Sequence, residues 1–371
     1  MKNVFGICNL HDGPYLGELT KKRPLAANTF LGRYALMDFA LSNFTNSGIN
    51  RMGILVEKQL ASIHDHTRDG HVWIRNTKTG GLHFFTNENM FNSERFNTDI
   101  ANILENKNFF IFNNADYYVI TNPFFLMSID FEKMVKAHIE SGKDISIAYK
   151  HTKEANINYK NCDSLTIKDG VVTRILRNSG SKKEADISLE TIVVSKYILM
   201  NLCEASKEVS ALYTIRKMIK YACDNQLMSI NPYEFDGYVV PILTLQDYVR
   251  HSMELLDYEN RKQLFHDDWP IYTTIHNTPP AIYGENAVVE NCFVANGAII
   301  KGKVINSIIS RDVVIEEGAV VKNSILFTRT RVGSGVKINY VLSDKQAKIL
   351  NTKEISGEPD KVLVIKKGVL V

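Results

Sequence analysis

From Ala281 onward an aliphatic residue returns every sixth position. Ile282, Val288, Val294 and Ile300 are six apart; after a two-residue insertion Ile308, Val314, Val320, Leu326, Val332 and Ile338 continue the count. Glycines at 284, 297, 302, 318, 333 and 335 are interspersed. Period six fits neither an amphipathic helix nor a half-buried antiparallel strand, whose periods are 3.6 and 2. It fits a parallel β-helix, in which every sixth side chain points into a narrow prism. The ends of such a solenoid expose strand edges, so an oligomer is expected. Lys361–Val371 reads as a strand-like piece that caps the coils.

The other end of the chain is of a different kind. Val4–Cys8 and Met52–Val56 are short apolar runs, each long enough for a buried strand. Between them Arg33–Ser47 carries Leu36, Ala40 and Phe44 at helical spacing, with Gly48 where a C-cap belongs. Strand, long loop, helix, strand opens a parallel α/β sheet, and such sheets bind ligands beyond the carboxyl ends of their strands. Here that place is the loop after Cys8. Further on, Tyr117–Thr121 predicts a strand and Phe131–Ser141 a helix. Asp169-Gly170 predicts a tight hairpin. Residues 1–250 are expected to form the α/β domain, 251–280 a connecting helix and proline-marked linker, and 281–371 the β-helix.

The chain has 371 residues and a net charge of +3, with cations and acids dispersed along it. That gives no footprint for nucleic acid. No apolar run reaches membrane-spanning length, and too few apolar residues follow Lys2 for a signal peptide. The five cysteines are scattered, without C-x-x-C spacing, which suits free thiols in a reducing compartment. A cytoplasmic protein without a membrane or nucleic-acid partner is the expectation. His64, His66 and His71 are read as polar surface groups of the 58–94 stretch rather than as a zinc site.

The segment ELTKKRPLAANTFLGRYALMDFALSNFTNSGINRMGIL resembles the ADP-glucose pyrophosphorylases (glucose-1-phosphate adenylyltransferases) of bacterial glycogen synthesis. Asp38-Phe39-Ala40-Leu41-Ser42-Asn43 and Asn46-Ser47-Gly48-Ile49 match the family's D-F-x-L-S-N-x-x-N-S-G-I helix. The resemblance runs nearly the whole length, and it matches Ile187–Met200 to the strand that closes the family's sugar pocket. It implies an α/β, nucleotidyltransferase-like (Rossmann-like) mixed-sheet domain followed by a C-terminal left-handed parallel β-helix.

The family's chemistry does not carry over residue by residue. Its G-G-x-G-x-R loop corresponds to Leu10–Leu16, where Gly13 alone remains and Pro14 removes a backbone donor. The loop arginine falls at Tyr15, and the lysine of R-A-K-P-A at Leu25. The two acids that hold catalytic Mg²⁺ fall at Phe124 and Pro241, and the lysine that holds the sugar phosphate at Asn178. Mg²⁺ is therefore not expected to bind here, since it needs carboxylate oxygens. Arg33 falls where bacterial members carry a lysine that contacts a sugar-bisphosphate activator. Lys21, Lys22, Arg329 and Arg331 are further candidate effector-binding cations.

The resemblance implies a catalytically inactive regulatory subunit. Its partner would be a catalytic ADP-glucose pyrophosphorylase subunit in a heterotetramer, with a phosphorylated sugar as effector. Two alternatives stand beside it. One is a stand-alone sugar-nucleotide sensor or scaffold. The other is a weakly active nucleotidyltransferase with relocated metal ligands, for which Asp12 and Asp116 are the candidates. A hexapeptide acyltransferase is disfavoured, because no histidine follows His276.

Overall fold

A computed structural model describes residues 3–76, 78–87 and 96–371. Part of the 58–94 stretch, from 88 on, therefore lies outside the described residues, as does residue 77. The chain divides into two compact units with interleaved segments. One comprises Met1–Gly13, Met37–Pro241 and Asp267–Tyr272; the other comprises Pro14–Leu36, Ile242–His266 and Thr273–Val371. The sequence reading draws simple boundaries at 250 and 280, whereas contacts group 14–36 and 242–266 with the coils.

The first unit is built on a sheet of nine strands among the described residues. Val4–Asn9 lies at its centre, parallel to Arg51–Leu55 on one side and to Tyr117–Thr121 on the other. Ala185–Ser195 then runs antiparallel to Tyr117–Thr121, making the sheet mixed. Gly6 shows why the first helix can lie on this sheet. A Cβ there would sit 2.6 Å from the Phe44 ring, so only glycine lets Phe44 pack onto the strand.

That helix spans Met37–Asn46, not Arg33–Ser47. Tyr34–Ala35 instead pairs with Thr29–Phe30 in a small hairpin, and Arg33 stands in its turn. Leu31 and Gly32 there have φ of 47° and 72°, which no helix can contain. The strand expected over Ile187–Met200 ends at Ser195, whose hydroxyl caps the helix Lys196–Val209. The Asp169-Gly170 hairpin is present, with positive φ at both residues.

The D-F-A-L-S-N match serves the core. Asp38 accepts from His66 at 2.5 Å. Ser42 accepts from the Tyr272 amide and Asn43 from the Trp269 indole, both at 2.8 Å. Asn43 also donates to the Met127 carbonyl. The other two histidines of the cluster are placed apart: His64 packs on the Phe84 ring and His71 on the Asp69 carboxylate.

The second unit contains the left-handed parallel β-helix. Three internal stacks line its prism. Ile300, Ile315, Val332 and Ile349 form one. Val304, Val321, Ile338 and Ile355 form the second. Ile309, Leu326 and Ser343 form the third. The frame read from sequence needs correction here. Ile315 and Val321 are fully buried, whereas their neighbours Val314 and Val320 are only partly so, and Ile282 and Val288 are exposed.

The reason is the coil length. The chain advances 17 residues from Ile315 to Val332, and again to Ile349. Two sides are thus six residues long and one is five, so a strict count of six drifts by one per coil. The drift is absorbed at a corner where Asn306, Asn323 and Tyr340 have φ of 46°, 45° and 51°. Asparagine tolerates that conformation better than most residues. The amides of Asn291, Asn306, Asn323 and Asn339 hydrogen-bond in a ladder along the same corner.

Candidate functional site

In the first unit, a narrow pocket of about 60 Å³ opens beyond the carboxyl ends of the central strands. Asn9 and Asp12 come from the loop after the first strand, and Asn122 from the residue following Tyr117–Thr121. Glu190 comes from a bulge in Ala185–Ser195, and Arg216 from the first turn of the helix Ile215–Asp224. Small-molecule sites usually offer roughly 300–1,000 Å³, so this pocket is largely filled by its own side chains.

Arg216 organises it. Its Nε lies 2.6 Å from Asp163 and its Nη1 2.7 Å from Glu190. The Asn122 amide also donates to Glu190 at 3.3 Å. Burial pushes the Glu190 carboxyl up to about 7; Arg216 opposes this, while Asp163 and Asp12 reinforce it. Burial likewise raises Asp99 to about 6, against hydrogen bonds from the Ile215 amide and Asn9. His11 is driven down to about 4 by burial. It is therefore neutral at pH 7, with its Nε2 2.9 Å from Asn102 Nδ2. Carboxyls outnumber cations in this lining, so it suits hydroxyls better than a phosphate.

The two positions expected to correspond to the family's metal acids lie close together in the fold. Phe125–Met127 pairs antiparallel with Val239–Pro241, with Pro241 opposite Phe125 and Phe124 one residue before it. Phe124 is buried, and its ring packs 5.9 Å from that of Phe125. Magnesium takes oxygen ligands in octahedral geometry. A phenyl ring and a pyrrolidine offer none, so these side chains do not fit the ion. Among the described residues no group of three or more His, Cys, Asp or Glu is arranged to hold a metal.

Asn178 is a loop staple. Its Nδ2 donates to the Ala155 and Tyr159 carbonyls at 2.8 Å, and its Oδ1 accepts from the Gly180 amide. Tyr15 and Leu25 belong to the other unit, where Tyr15 is exposed and Leu25 is buried in a short 3-10 turn. Asp12 and Asp116 are not brought together. Val4 pairs with Tyr117 and Cys8 with Thr121, so Asp116 precedes the ladder that Asp12 follows. At about 3.3 Å per residue they lie roughly 20 Å apart along the strands, too far for one ion.

A second pocket, of about 420 Å³, lies in the unit that contains the coils. It brings Arg33 together with Arg261, Arg311 and His276, and with the aromatic rings of Tyr34 and Phe293. Arg261 sits 5.1 Å over the Phe293 ring. Of the cations expected beside Arg33, none lines this pocket. Lys21 pairs with Glu18, Arg329 with Asp312, and Lys22 and Arg331 are exposed elsewhere in the unit.

Sequence reasoning missed Arg261, Arg311, Arg216 and Glu190. Only Glu190 left a local signal: one acid inside the otherwise uncharged strand run 187–194.

An α/β sheet that carries its pocket at the strand ends, joined to a hexapeptide solenoid, defines a nucleotidyltransferase-like fold with a β-helix appended. The comparisons agree. Residues 12–158 match the model described as nucleotidyl transferase, and residues 279–365 the one described as GlmU-like, C-terminal hexapeptide. A glycogen biosynthesis protein GlgD from Geobacillus stearothermophilus is 33% identical over 307 residues, covering 82% of this chain and 79% of that protein. The GlgD of Bacillus subtilis is 29% identical over 355 residues, covering 96% and 93%. A glucose-1-phosphate adenylyltransferase from Fervidobacterium nodosum is 30% identical over 344 residues, covering 91% and 81%. The chain belongs to the ADP-glucose pyrophosphorylase (glucose-1-phosphate adenylyltransferase) family, which includes these glycogen biosynthesis proteins. No helix among the described residues is long and apolar enough to cross a membrane.

Proposed function

We propose that this chain is a regulatory subunit of an ADP-glucose pyrophosphorylase and performs no nucleotidyl transfer itself. Its partner is a catalytic subunit that makes ADP-glucose and pyrophosphate from ATP and glucose 1-phosphate. The observation that carries this reading is the pairing of Pro241 with Phe125, next to Phe124. The positions expected to hold the metal are adjacent, yet apolar. Phosphoryl-transfer catalysis depends on preorganised charge, and each lost group costs orders of magnitude in rate.

The arginine pocket supports the regulatory half. Arg33, Arg261 and Arg311 offer forked donors that match phosphate oxygens. A phosphorylated sugar bound there would bias the hetero-oligomer toward the active state of its catalytic subunit, a coupling free energy of about 1–3 kcal/mol. Co-expression with a tagged catalytic subunit tests the assembly. The expected result is a stable mixed oligomer, a heterotetramer by mass, whose ADP-glucose synthesis exceeds that of the catalytic subunit alone. A chain that never co-purifies and leaves the rate unchanged would instead favour a stand-alone sensor using the same arginine pocket.

A further inference from the structure

Glu190 occupies its place under strain. Its φ is +50°, a backbone conformation that favours glycine. The strand pairing slips between Ser188 and Ile192 to accommodate it. Leu189, Ile187 and Ile192, its neighbours in the strand, are buried and apolar. Only 14% of the Glu190 side chain is exposed.

Arg216 and the local backbone also keep partners of their own. Asp163 holds the Nε edge of Arg216, and Ser188 accepts the Glu190 backbone N–H. Without the glutamate side chain, Arg216 Nη1 and Asn122 Nδ2 would face the pocket without their present acceptor. The rest of the lining has two characters. Isoleucines at 120, 147, 175 and 192 form apolar walls; Asp163, Asn122 and Arg216 supply hydrogen-bonding groups. Apolar walls with a few convergent carboxyl, amide and guanidinium groups suit a hexose, whose C–H faces are apolar and whose hydroxyls both donate and accept.

We propose that Glu190 is a tethered occupant that shuts this narrow pocket, and that removing its side chain opens it to a sugar. The carboxylate sits where ligand hydroxyls would meet Arg216 and Asn122. This inference rests on the reading that the pocket no longer serves catalysis. Its test uses binding by the isolated chain, so it can fail while the regulatory reading stands.

The experiment compares binding of glucose, glucose 1-phosphate and inorganic phosphate to the wild-type chain and to Glu190→Gly by titration calorimetry and NMR. Glycine suits the backbone and vacates the space. Glu190→Asn is the second variant, because asparagine tolerates positive φ and is shorter and uncharged; it carries the test if the glycine variant does not fold. The expected result is a gain of roughly tenfold or more in glucose affinity over wild type, with shifts at the Ser188 and Asn122 amides. Inorganic phosphate should gain nothing, given Asp12, Asp99 and Asp163 in the lining. Folded variants that bind glucose no better than wild type would overturn the proposal. So would a wild-type chain that already binds it equally well, or a gain confined to inorganic phosphate.

Discussion

One Nη of Arg23 donates to both carboxylate oxygens of Asp344, at 2.8 and 2.9 Å, with both side chains buried. The other Nη donates to Asn28. This contact fastens the 14–36 segment to a coil of the β-helix within one compact unit. Breaking a buried pair by removing one partner leaves an uncompensated charge and costs about 3–5 kcal/mol. Asp344→Ala is therefore expected to lower the stability of that unit by about this amount in urea unfolding. The double change Arg23→Leu/Asp344→Leu should recover most of the loss, because two apolar residues replace the pair. Equal stabilities for wild type and Asp344→Ala would contradict the assignment.

The corrected coil frame makes a sharp contrast between neighbours. Ile315 is fully buried in the prism, while Val314 beside it is only partly buried. Ile315→Ala is expected to cost about 2–5 kcal/mol, and Val314→Ala about 1 kcal/mol or less. Thermal unfolding of the two variants checks this. Reversal of their order would restore the strict count of six.

How far these features could be read from sequence depends on how local their cause is. The β-helix announces itself because its period is short and repeated. Its frame does not, because the slip sits in the φ values of Asn306, Asn323 and Tyr340 and leaves no break in the run of aliphatic residues. The D-F-A-L-S-N helix is legible as a motif, but its reason lies in contacts from Trp269 and Tyr272, over 200 positions away. Arg33 could be singled out from the resemblance. Arg261 and Arg311 could not, since folding alone places them beside it. Glu190 and Arg216 likewise meet only through the topology of the sheet.

The pH dependence of stability follows from three buried groups with different signs. Glu190 rises from 4.5 to about 7 on folding, and Asp99 from 3.8 to about 6. In those windows the folded chain holds protons that the unfolded chain has released, so stability falls as pH rises through them. His11 drops from 6.5 to about 4, so the unfolded chain takes up a proton first and stability falls as pH decreases through that window. Glu190→Gln removes one of the first two contributions. Between about pH 5 and 8 its melting temperature is expected to decline less with rising pH than that of wild type. Parallel profiles would contradict a raised Glu190.

The arginine pocket is tested by its exposed member. Arg33 is exposed at a hairpin turn, so replacing it with alanine should leave the fold intact. A charge-assisted hydrogen bond contributes about 1.5–3 kcal/mol. Arg33→Ala is therefore expected to weaken sugar-bisphosphate binding by about tenfold to a hundredfold in calorimetry. Lys22→Ala, whose residue does not line the pocket, should change it little. Equal losses in both variants would move the effector site elsewhere.

The most direct measurement is steady-state ADP-glucose synthesis, with Mg²⁺, by the purified chain alone and mixed with a catalytic subunit from the same organism. The account predicts turnover by the isolated chain at least about a thousandfold below that of the catalytic subunit, given the apolar Phe124 and Pro241 where metal-holding acids are expected. It also predicts a higher kcat or a lower KM in the mixture. Turnover by the isolated chain comparable to that of the catalytic subunit would contradict it, as would a partner whose kinetics the chain leaves unchanged.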